Sequence, residues 1–164
     1  MNALYDLPGS VLRNRGELLR LRQYGRKWTV TYKDKGKTGR HKSRREIETV
    51  IEDGKALADI FEALGFRPSF SYEKFRSEWG KGSGHVVLDE TPIGDFGEIE
   101  GPPKWIDSVA RRLGIAPSEY ITASYTELFR EWKLKSGSQA SDLLFSAINP
   151  KFHVSGFQNS GRTV

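Results

Sequence analysis

The sequence lacks cysteine and has few residues of the kinds that mark secreted, membrane-bound or metal-binding proteins. With 0 Cys among 164 residues, disulfide bonds and thiolate metal sites are excluded. The 3 His residues show no metal-ligand spacing. No apolar run approaches the roughly 20 residues of a membrane helix, and the first residues contain no signal-peptide core. We therefore expect a single-domain cytoplasmic protein with no membrane partner.

Charged residues are abundant, but their distribution along the chain is uneven. The net charge of +5 and the pI of about 9.5 would by themselves favour a nucleic-acid partner. Residues 1–45 contain 13 Lys/Arg against 3 Asp/Glu, whereas residues 46–101 contain 5 against 13. A nucleic-acid-binding surface needs one continuous basic face, so this pattern makes nucleic acid an unlikely partner. It is typical of a site that needs both positive and negative side chains, such as one that binds phosphates together with a divalent metal ion.

The residue pattern predicts strands first and helices later. Residues 17–25 and 26–36 are predicted to form a hairpin, and residues 41–53 and 69–79 a strand each. A helix is predicted to follow the capping residue Asp53, with Leu57, Ile60, Phe61 and Leu64 on its buried stripe. Further strands are expected within residues 84–101.

The last part of the chain is predicted to be helical and then irregular. Residues 102–115 and 124–135 show helical periodicity, the second with Tyr125, Leu128, Phe129 and Trp132 facing inward. Beyond Ser136 the sequence is rich in Ser, Gly and Asn. We therefore predict one domain over residues 1–136 and a loosely ordered tail over 137–164.

Each predicted strand alternates a charged face with an apolar face. In the first strand Arg20 and Arg22 lie opposite Leu19 and Leu21. The same alternation recurs in four further strands, whose charged positions include Lys33, Lys42, Arg44, Glu46, Glu48, Lys74, Arg76, Glu98 and Glu100. A charged strand face is usually a solvated outer surface. The helices, however, have apolar stripes that can cover the apolar side of the strands and leave the charged side facing an interior. The pattern alone leaves both interpretations open.

Four segments carry a family resemblance, in order and at the right spacing. They are YDLPGSVLRNRGELLRLRQYGRKWTVTYK (5–33), HKSRREIETVIED (41–53), LGFRPSFSYEKFR (64–76) and VVLDETPIGDFGEIEGPP (86–103). Together they resemble the CYTH superfamily, the class IV adenylyl cyclases and thiamine triphosphatases among the triphosphate tunnel metalloenzymes. The resemblance implies an α+β fold in which an antiparallel β-barrel, flanked by helices, forms a tunnel. The charged strand faces would then line that tunnel.

The resemblance also implies roles for individual residues. Residues matching the phosphate-binding positions are Arg20, Arg22, Lys33, Lys42, Arg44, Lys74 and Arg76. Residues matching acidic positions near Mg²⁺ or Mn²⁺ are Glu46, Glu48, Asp89, Glu98 and Glu100. Arginine offers paired donors to phosphate oxygens, and hard carboxylate oxygens suit these two ions. No catalytic residue is assigned.

The first residues depart from the family pattern. The family places E-x-E-x-K on a strand before the YDxPxxxL segment, yet only Met1–Leu4 precede Tyr5 here. The carboxylates of that strand, and a lysine given a catalytic role, have no counterpart. We expect either a start upstream of Met1 or a degenerate member with a barrel incomplete at its N-terminus. An incomplete barrel would leave two sheet edges open to pairing between chains, as in a homodimer.

These observations lead to one main functional hypothesis and several alternatives. The main hypothesis is a metal-dependent CYTH-type enzyme, like a class IV adenylyl cyclase, that converts ATP to cyclic AMP and pyrophosphate. One alternative is an inorganic or thiamine triphosphatase, and another is a non-catalytic binder of polyphosphate or nucleotides. A basic RNA-binding module is disfavoured by the acidic middle third. The expected partner is therefore a small molecule that contains a triphosphate.

Overall fold

The chain forms antiparallel strands in its first two thirds and mostly helices thereafter. The computed structural model describes residues 1–37 and 39–149, so most of the predicted tail lies outside the described residues. The strands are β1 (Asn2–Asp6), β2 (Leu18–Tyr24), β3 (Lys27–Lys33), β4 (Glu46–Ile51), β5 (Arg67–Tyr72), β6 (Phe75–Lys81), β7 (Gly84–Thr91) and β8 (Gly94–Glu100). The helices are α1 (Val11–Arg15), α2 (Gly54–Ala63), α3 (Pro103–Arg112), α4 (Tyr125–Ser136) and α5 (Phe145–Ile148), with a 3₁₀ turn at Pro117–Glu119.

Within these residues the strands belong to two antiparallel sheets. The larger has the order β4-β3-β2-β1-β5 and the smaller the order β6-β7-β8. The predicted hairpin is confirmed, because β2 pairs with β3 from Leu18 opposite Lys33 to Tyr24 opposite Lys27. Its turn contains Gly25 at φ 58, a left-handed conformation that glycine adopts without strain. The α+β class with antiparallel strands is therefore confirmed.

Helix α2 covers the apolar face of the larger sheet. Asp53 caps this helix as predicted, since its Oδ1 accepts hydrogen bonds from two backbone N–H groups at 2.9 Å. Tyr5, Leu21 and Phe61 form the buried centre of the interface. Gly54 begins the helix against the ring of Trp28, where a Cβ atom would lie 2.0 Å from the ring. The opposite, charged face of the sheet therefore points away from α2.

The buried stripe of α2 differs from the prediction. Leu57, Ala58 and Phe61 contact the sheet. Ile60 and Leu64 remain 53% and 66% exposed, so their assignment to the stripe was wrong. The buried stripe instead runs through Gly54, Leu57, Ala58 and Phe61.

A second core cluster lies on the charged face of the larger sheet. Its buried members are Phe70 and Tyr72 of β5, Phe129 of α4, and Leu143. The register through β1 puts both β5 residues on the face that carries Arg20. Helix α4 therefore packs against the same side of the sheet as the cations, and its predicted inward-facing stripe is confirmed for Phe129. No helix in the described part of the chain is long and apolar enough to span a membrane.

Two predicted strands differ from the observed ones, since one begins later than predicted and the other is divided in two. The strand predicted over 41–53 begins only at Glu46, because the preceding residues form a narrow loop closed by the backbone pair Lys37 and Ser43. The strand predicted over 69–79 is divided into β5 and β6, which lie in different sheets. The chain bends at Glu73, whose backbone N–H donates to the Leu143 carbonyl at 3.0 Å.

Residues 137–149 contribute to the core. Leu143 is fully buried, and its backbone N–H donates to the Ser71 carbonyl at 3.0 Å. The Asp142 carboxylate accepts a hydrogen bond from the Ser71 N–H at 2.7 Å. This segment, which the sequence assigned to the tail, therefore pairs with the outer edge of β5.

Candidate functional site

A group of charged side chains lies on the face of the larger sheet opposite α2. Arg20 Nη2 donates to Thr31 Oγ1 at 3.0 Å and to Glu48 Oε2 at 3.3 Å. Thr31 Oγ1 donates to the same Glu48 oxygen at 2.7 Å. Lys33 Nζ donates to Glu46 Oε1 at 2.6 Å. The register produces these contacts, because it sets Arg20 opposite Thr31 and Thr31 opposite Glu48.

We call this group the first cluster. Its charged members are Arg20, Arg22, Lys33, Arg44, Glu46 and Glu48. The hydrogen bond from Thr31, and next the charge of Arg20, hold the pKa of Glu48 below its ordinary value. Burial lowers the pKa of Lys33 by more than its hydrogen bond to Glu46 raises it. The cluster contains four cations and two carboxylates, so it has an excess of two positive charges.

The two arginines of β2 have unused donors in this interior. Arg20 is only 8% exposed, and its Nε has no hydrogen-bond partner among the described residues. Arg22 Nε donates to Asn2 Oδ1 at 2.9 Å. Burial, followed by the charge of Arg20, lowers the pKa of Arg22, and the charge of Arg76 acts in the same direction. The charge of Arg22 in the larger sheet is therefore coupled to that of Arg76 in the smaller one.

A second cluster lies on the inner face of the smaller sheet. We define it as Lys74, Arg76, Asp89, Glu98 and Tyr125. Asp89 is fully buried and accepts hydrogen bonds from Lys74 Nζ at 2.5 Å and from Arg76 Nε and Nη2 at 2.7 Å each. Arg76 Nη2 also donates to Glu98 Oε2 at 2.6 Å. Two cations face two carboxylates, so this cluster is neutral.

Tyr125 of α4 completes the second cluster. Its hydroxyl lies 2.7 Å from Asp89 Oδ2 and 2.9 Å from Glu98 Oε1. The Lys74 ammonium lies 4.7 Å from the centre of the Tyr125 ring, a cation–π contact. Tyr125 stacks on Tyr72 at 6.0 Å between ring centres. The Tyr72 hydroxyl lies 3.4 Å from Arg20 Nη1, so these two rings connect the clusters.

The pKa values of the second cluster follow from burial and from its ion pairs. Burial would raise the pKa of Asp89, but hydrogen bonds from Arg76, Lys74 and Tyr125 hold it far below its ordinary value. Burial raises the pKa of Glu98 despite the nearby positive charges. Burial would lower the pKa of Arg76, yet its carboxylate partners raise it. Burial and the two carboxylates raise the pKa of Tyr125, so its hydroxyl remains protonated and donates.

The predicted phosphate-binding residues are not all in one place. Arg44 belongs to the first cluster, with Nε 3.6 Å from Glu46 Oε1. Lys42 is exposed, and its Nζ donates instead to the Thr122 carbonyl at 3.3 Å. Both belong to the loop before β4 rather than to the strand, so the sequence argument from strand alternation was wrong for them.

The tip of this loop is attached to α3. Asp107 Oδ1 lies 3.2 Å from Arg40 Nη2 and 2.9 Å from His41 Nε2. The His41 ring also faces the Tyr120 ring at 5.8 Å. Asp107 therefore lies beside the loop that carries Lys42 and Arg44, a contact that no sequence motif indicates.

The predicted metal ligands are divided between the two sheets. Glu46 and Glu48 lie in the first cluster, and Asp89 and Glu98 in the second. Glu100 is exposed near the end of β8, opposite His85. Within residues 1–37 and 39–149, no three Asp, Glu or His side chains are grouped so as to hold a metal ion. Asp89 is already occupied by its hydrogen-bond donors. These carboxylates therefore do not fit a ready-made Mg²⁺ or Mn²⁺ site, although their oxygens are of the type that both ions prefer.

Sequence reasoning missed Thr31, Tyr72 and Tyr125. Thr31 shares the alternation of Lys33 and could have been included on that ground. Tyr125 is predicted to lie on the inward stripe of its helix and Tyr72 is given no role, and the hydroxyl groups of both are the signal overlooked. A buried tyrosine usually has a hydrogen-bond partner, which here is a charged group.

Comparisons with known proteins bear on the family and the fold of the chain. The sequence profile of the CYTH domain matches residues 2–115. A Methanocaldococcus jannaschii protein, provisionally named an adenylate cyclase, is 29% identical over 127 residues, which are 71% of this chain and 73% of that protein. A solved Pyrococcus horikoshii structure, 27% identical, matches with a TM-score of 0.69 over 80% of this chain and 82% of its own.

A plant structure shares the fold at lower identity. A Hippeastrum protein, provisionally named an adenylyl cyclase and described as having a dominant triphosphatase activity, is 16% identical. It matches with a TM-score of 0.57 over 80% of each chain. The profile match covers well over half of the sequence and includes both sheets. The chain belongs to the CYTH domain family.

Proposed function

We propose that this chain is an enzyme that binds a small triphosphate, as its divalent-metal complex, between the two clusters and cleaves it. The observation that carries the proposal is the uncompensated positive charge of the first cluster around the buried Arg20. Buried cations without sufficient counter-charge are costly, and a phosphate chain would supply that charge. Among the described residues the buried Arg20 Nε has no hydrogen-bond partner, so a turn of the side chain toward the phosphates would satisfy this donor.

The two clusters would have different roles toward the triphosphate. The first cluster would bind phosphate oxygens through Arg20, Arg22, Lys33 and Arg44, because its carboxylates balance only half of these charges. The second cluster is neutral, so Lys74 and Arg76 would bind phosphate only by sharing donors with Asp89 and Glu98. Phosphoryl transfer is achieved mainly by positioning and by neutralisation of charge, which this arrangement supplies.

Mg²⁺ or Mn²⁺ enters the proposal as part of the substrate complex. Such an ion keeps several waters and binds phosphate oxygens alongside one or two carboxylates. Glu48 and Glu98 are the candidates to contact it, since both side chains are partly exposed, at 47% and 29%. The ion would supply further neutralisation of the triphosphate charge.

The leading reaction is that of a class IV adenylyl cyclase, which forms cyclic AMP and pyrophosphate from ATP. The similarity to the archaeal protein with a cyclase name supports it. The second candidate is release of phosphate from a triphosphate, which the activity described for the Hippeastrum protein supports. Both reactions require the enzyme to bind the three phosphates of the substrate in the same way.

One assay separates these reactions. The protein is incubated with ATP, thiamine triphosphate or inorganic triphosphate and with Mg²⁺ or Mn²⁺, and cyclic AMP, pyrophosphate and phosphate are measured. A cyclase yields cyclic AMP and pyrophosphate in equal amounts, whereas a triphosphatase yields phosphate from more than one substrate. The matched control is Arg112→Ala, an exposed cation of α3 outside both clusters. Tight binding without any product would contradict the enzyme proposal and leave a non-catalytic binder.

A further inference from the structure

Helix α4 lies beyond the segment that matches the CYTH profile, yet it reaches the candidate site. The match ends at residue 115, and α4 begins at Tyr125. Ser124 and Glu127 fix this start as a capping box, with Ser124 N donating to Glu127 Oε2 at 2.6 Å. Tyr125 is thus held on the first turn of a capped helix. Phe129, one turn later, anchors the helix in the core.

The Tyr125 hydroxyl contacts two carboxylates with a single hydrogen. Asp89 Oδ2 and Glu98 Oε1 both lie within 2.9 Å of it. The hydroxyl can donate to only one of them at a time, so the two anions converge on one donor. Without it, Glu98 Oε1 would keep only Lys74 Nζ, at 3.7 Å. The hydroxyl therefore helps to hold two like charges close together.

The same contacts determine where the cations of the second cluster point. Lys74 lies between the Asp89 carboxylate and the face of the Tyr125 ring. Arg76 bridges Asp89 and Glu98 through Nη2. Loss of the hydroxyl would free Glu98 Oε1 to draw Lys74 toward itself and would loosen the bridge made by Arg76. Fewer cation donors would then face the first cluster.

We propose that Tyr125 is a positioning residue of the triphosphate site: it holds Asp89 and Glu98 so that Lys74 and Arg76 face the cations of the larger sheet. The proposal rests on the proposed function for the identity of the ligand, inorganic triphosphate. It adds that a residue outside the family segment completes the site.

The test compares Tyr125→Phe with wild type in two measurements. The change removes the hydroxyl and retains the ring that stacks on Tyr72. The first measurement is calorimetric titration with metal-free inorganic triphosphate, and we expect binding about tenfold weaker, the effect of one lost hydrogen bond to a charged group. The second is the NMR exchange rate of the Arg76 Nε–H in the ligand-free protein, which we expect to rise several-fold.

Tyr120→Phe is the matched control, because it removes a tyrosine hydroxyl outside both clusters. We expect it to leave both measurements at the wild-type values. Unchanged exchange of the Arg76 Nε–H in Tyr125→Phe would overturn the positioning role, even if the variant had a lower Tm. If wild type itself failed to bind triphosphate, the proposed function would fail, while the exchange rate would still decide whether Tyr125 positions Arg76.

Discussion

Replacement of Arg20 by methionine tests the first cluster with little disturbance of the fold. Arg20 is buried on β2 and donates to Thr31 and Glu48. Methionine retains most of the length of the side chain and removes its charge and donors. We expect Arg20→Met to weaken triphosphate binding substantially while the protein remains folded.

The expected losses of affinity and of stability in Arg20→Met follow from the contacts of Arg20. A charge-assisted hydrogen bond to phosphate contributes about 1.5–3 kcal/mol, which corresponds to a loss of affinity of roughly 10- to 150-fold. The effect on folding should be smaller, below about 1 kcal/mol, because the Glu48 side chain is 47% exposed and its pairing is screened by water. Glu48 also keeps its hydrogen bond from Thr31. Arg20→Met should therefore lower the affinity for triphosphate much more than it lowers the free energy of unfolding.

The assay is calorimetric titration with inorganic triphosphate at two salt concentrations, together with thermal unfolding. Arg112→Met removes an exposed arginine of α3 and serves as the control for net charge. Affinity within twofold of wild type in Arg20→Met would refute the role of the first cluster. Equal losses in both variants would show that only overall charge matters.

Three further predictions concern stability. Thr31→Val should raise the pKa of Glu48, which the hydrogen bond from Thr31 lowers, and an NMR titration of the carboxyl group would show this. The ionised Glu48 stabilises the fold above its unfolded-state pKa and not in acid, so the variant should lose part of this stabilisation at neutral pH, as unfolding measurements would show. Asp89→Asn should destabilise by about 3 kcal/mol in denaturant unfolding, because it removes the fully buried negative charge that Lys74 and Arg76 share; exposed Asp95→Asn is the control. Gly54→Ala should destabilise by about 1–3 kcal/mol through its clash with Trp28, although helix propensity alone predicts stabilisation; a raised Tm would contradict this packing.

The regular elements could be predicted because their signals are local. Alternation in residues 18–33 specifies the hairpin and places Arg20 and Lys33 on one face. Asp53 predicts the start of α2, because its carboxylate accepts the hydrogen bonds that cap the helix. The apolar helix stripes left open whether the charged face of the sheet would be turned away from the helices, and the core formed by Tyr5 and Phe61 shows that it is turned away from α2.

The remaining features depend on contacts between distant parts of the chain. Lys42 lies in a loop rather than in a strand, and this loop contacts Asp107 and Thr122, far along the sequence. The bend at Glu73 depends on a backbone bond to Leu143. Tyr125 reads as one more core aromatic until its distance from Asp89 is known. Periodicity specifies which face a residue occupies, but not which residue from another element meets it.

The most direct test of the central claim is the affinity of the protein for phosphate, diphosphate and triphosphate in one calorimetric series. If the cations of both sheets bind one phosphate chain, the affinity should rise with each added phosphate. It should fall to the level of phosphate in the double variant Arg22→Ala/Arg76→Ala, which removes one cation from each cluster. Equal affinity for the three anions, or unchanged triphosphate binding in the double variant, would contradict a shared triphosphate site between the two sheets.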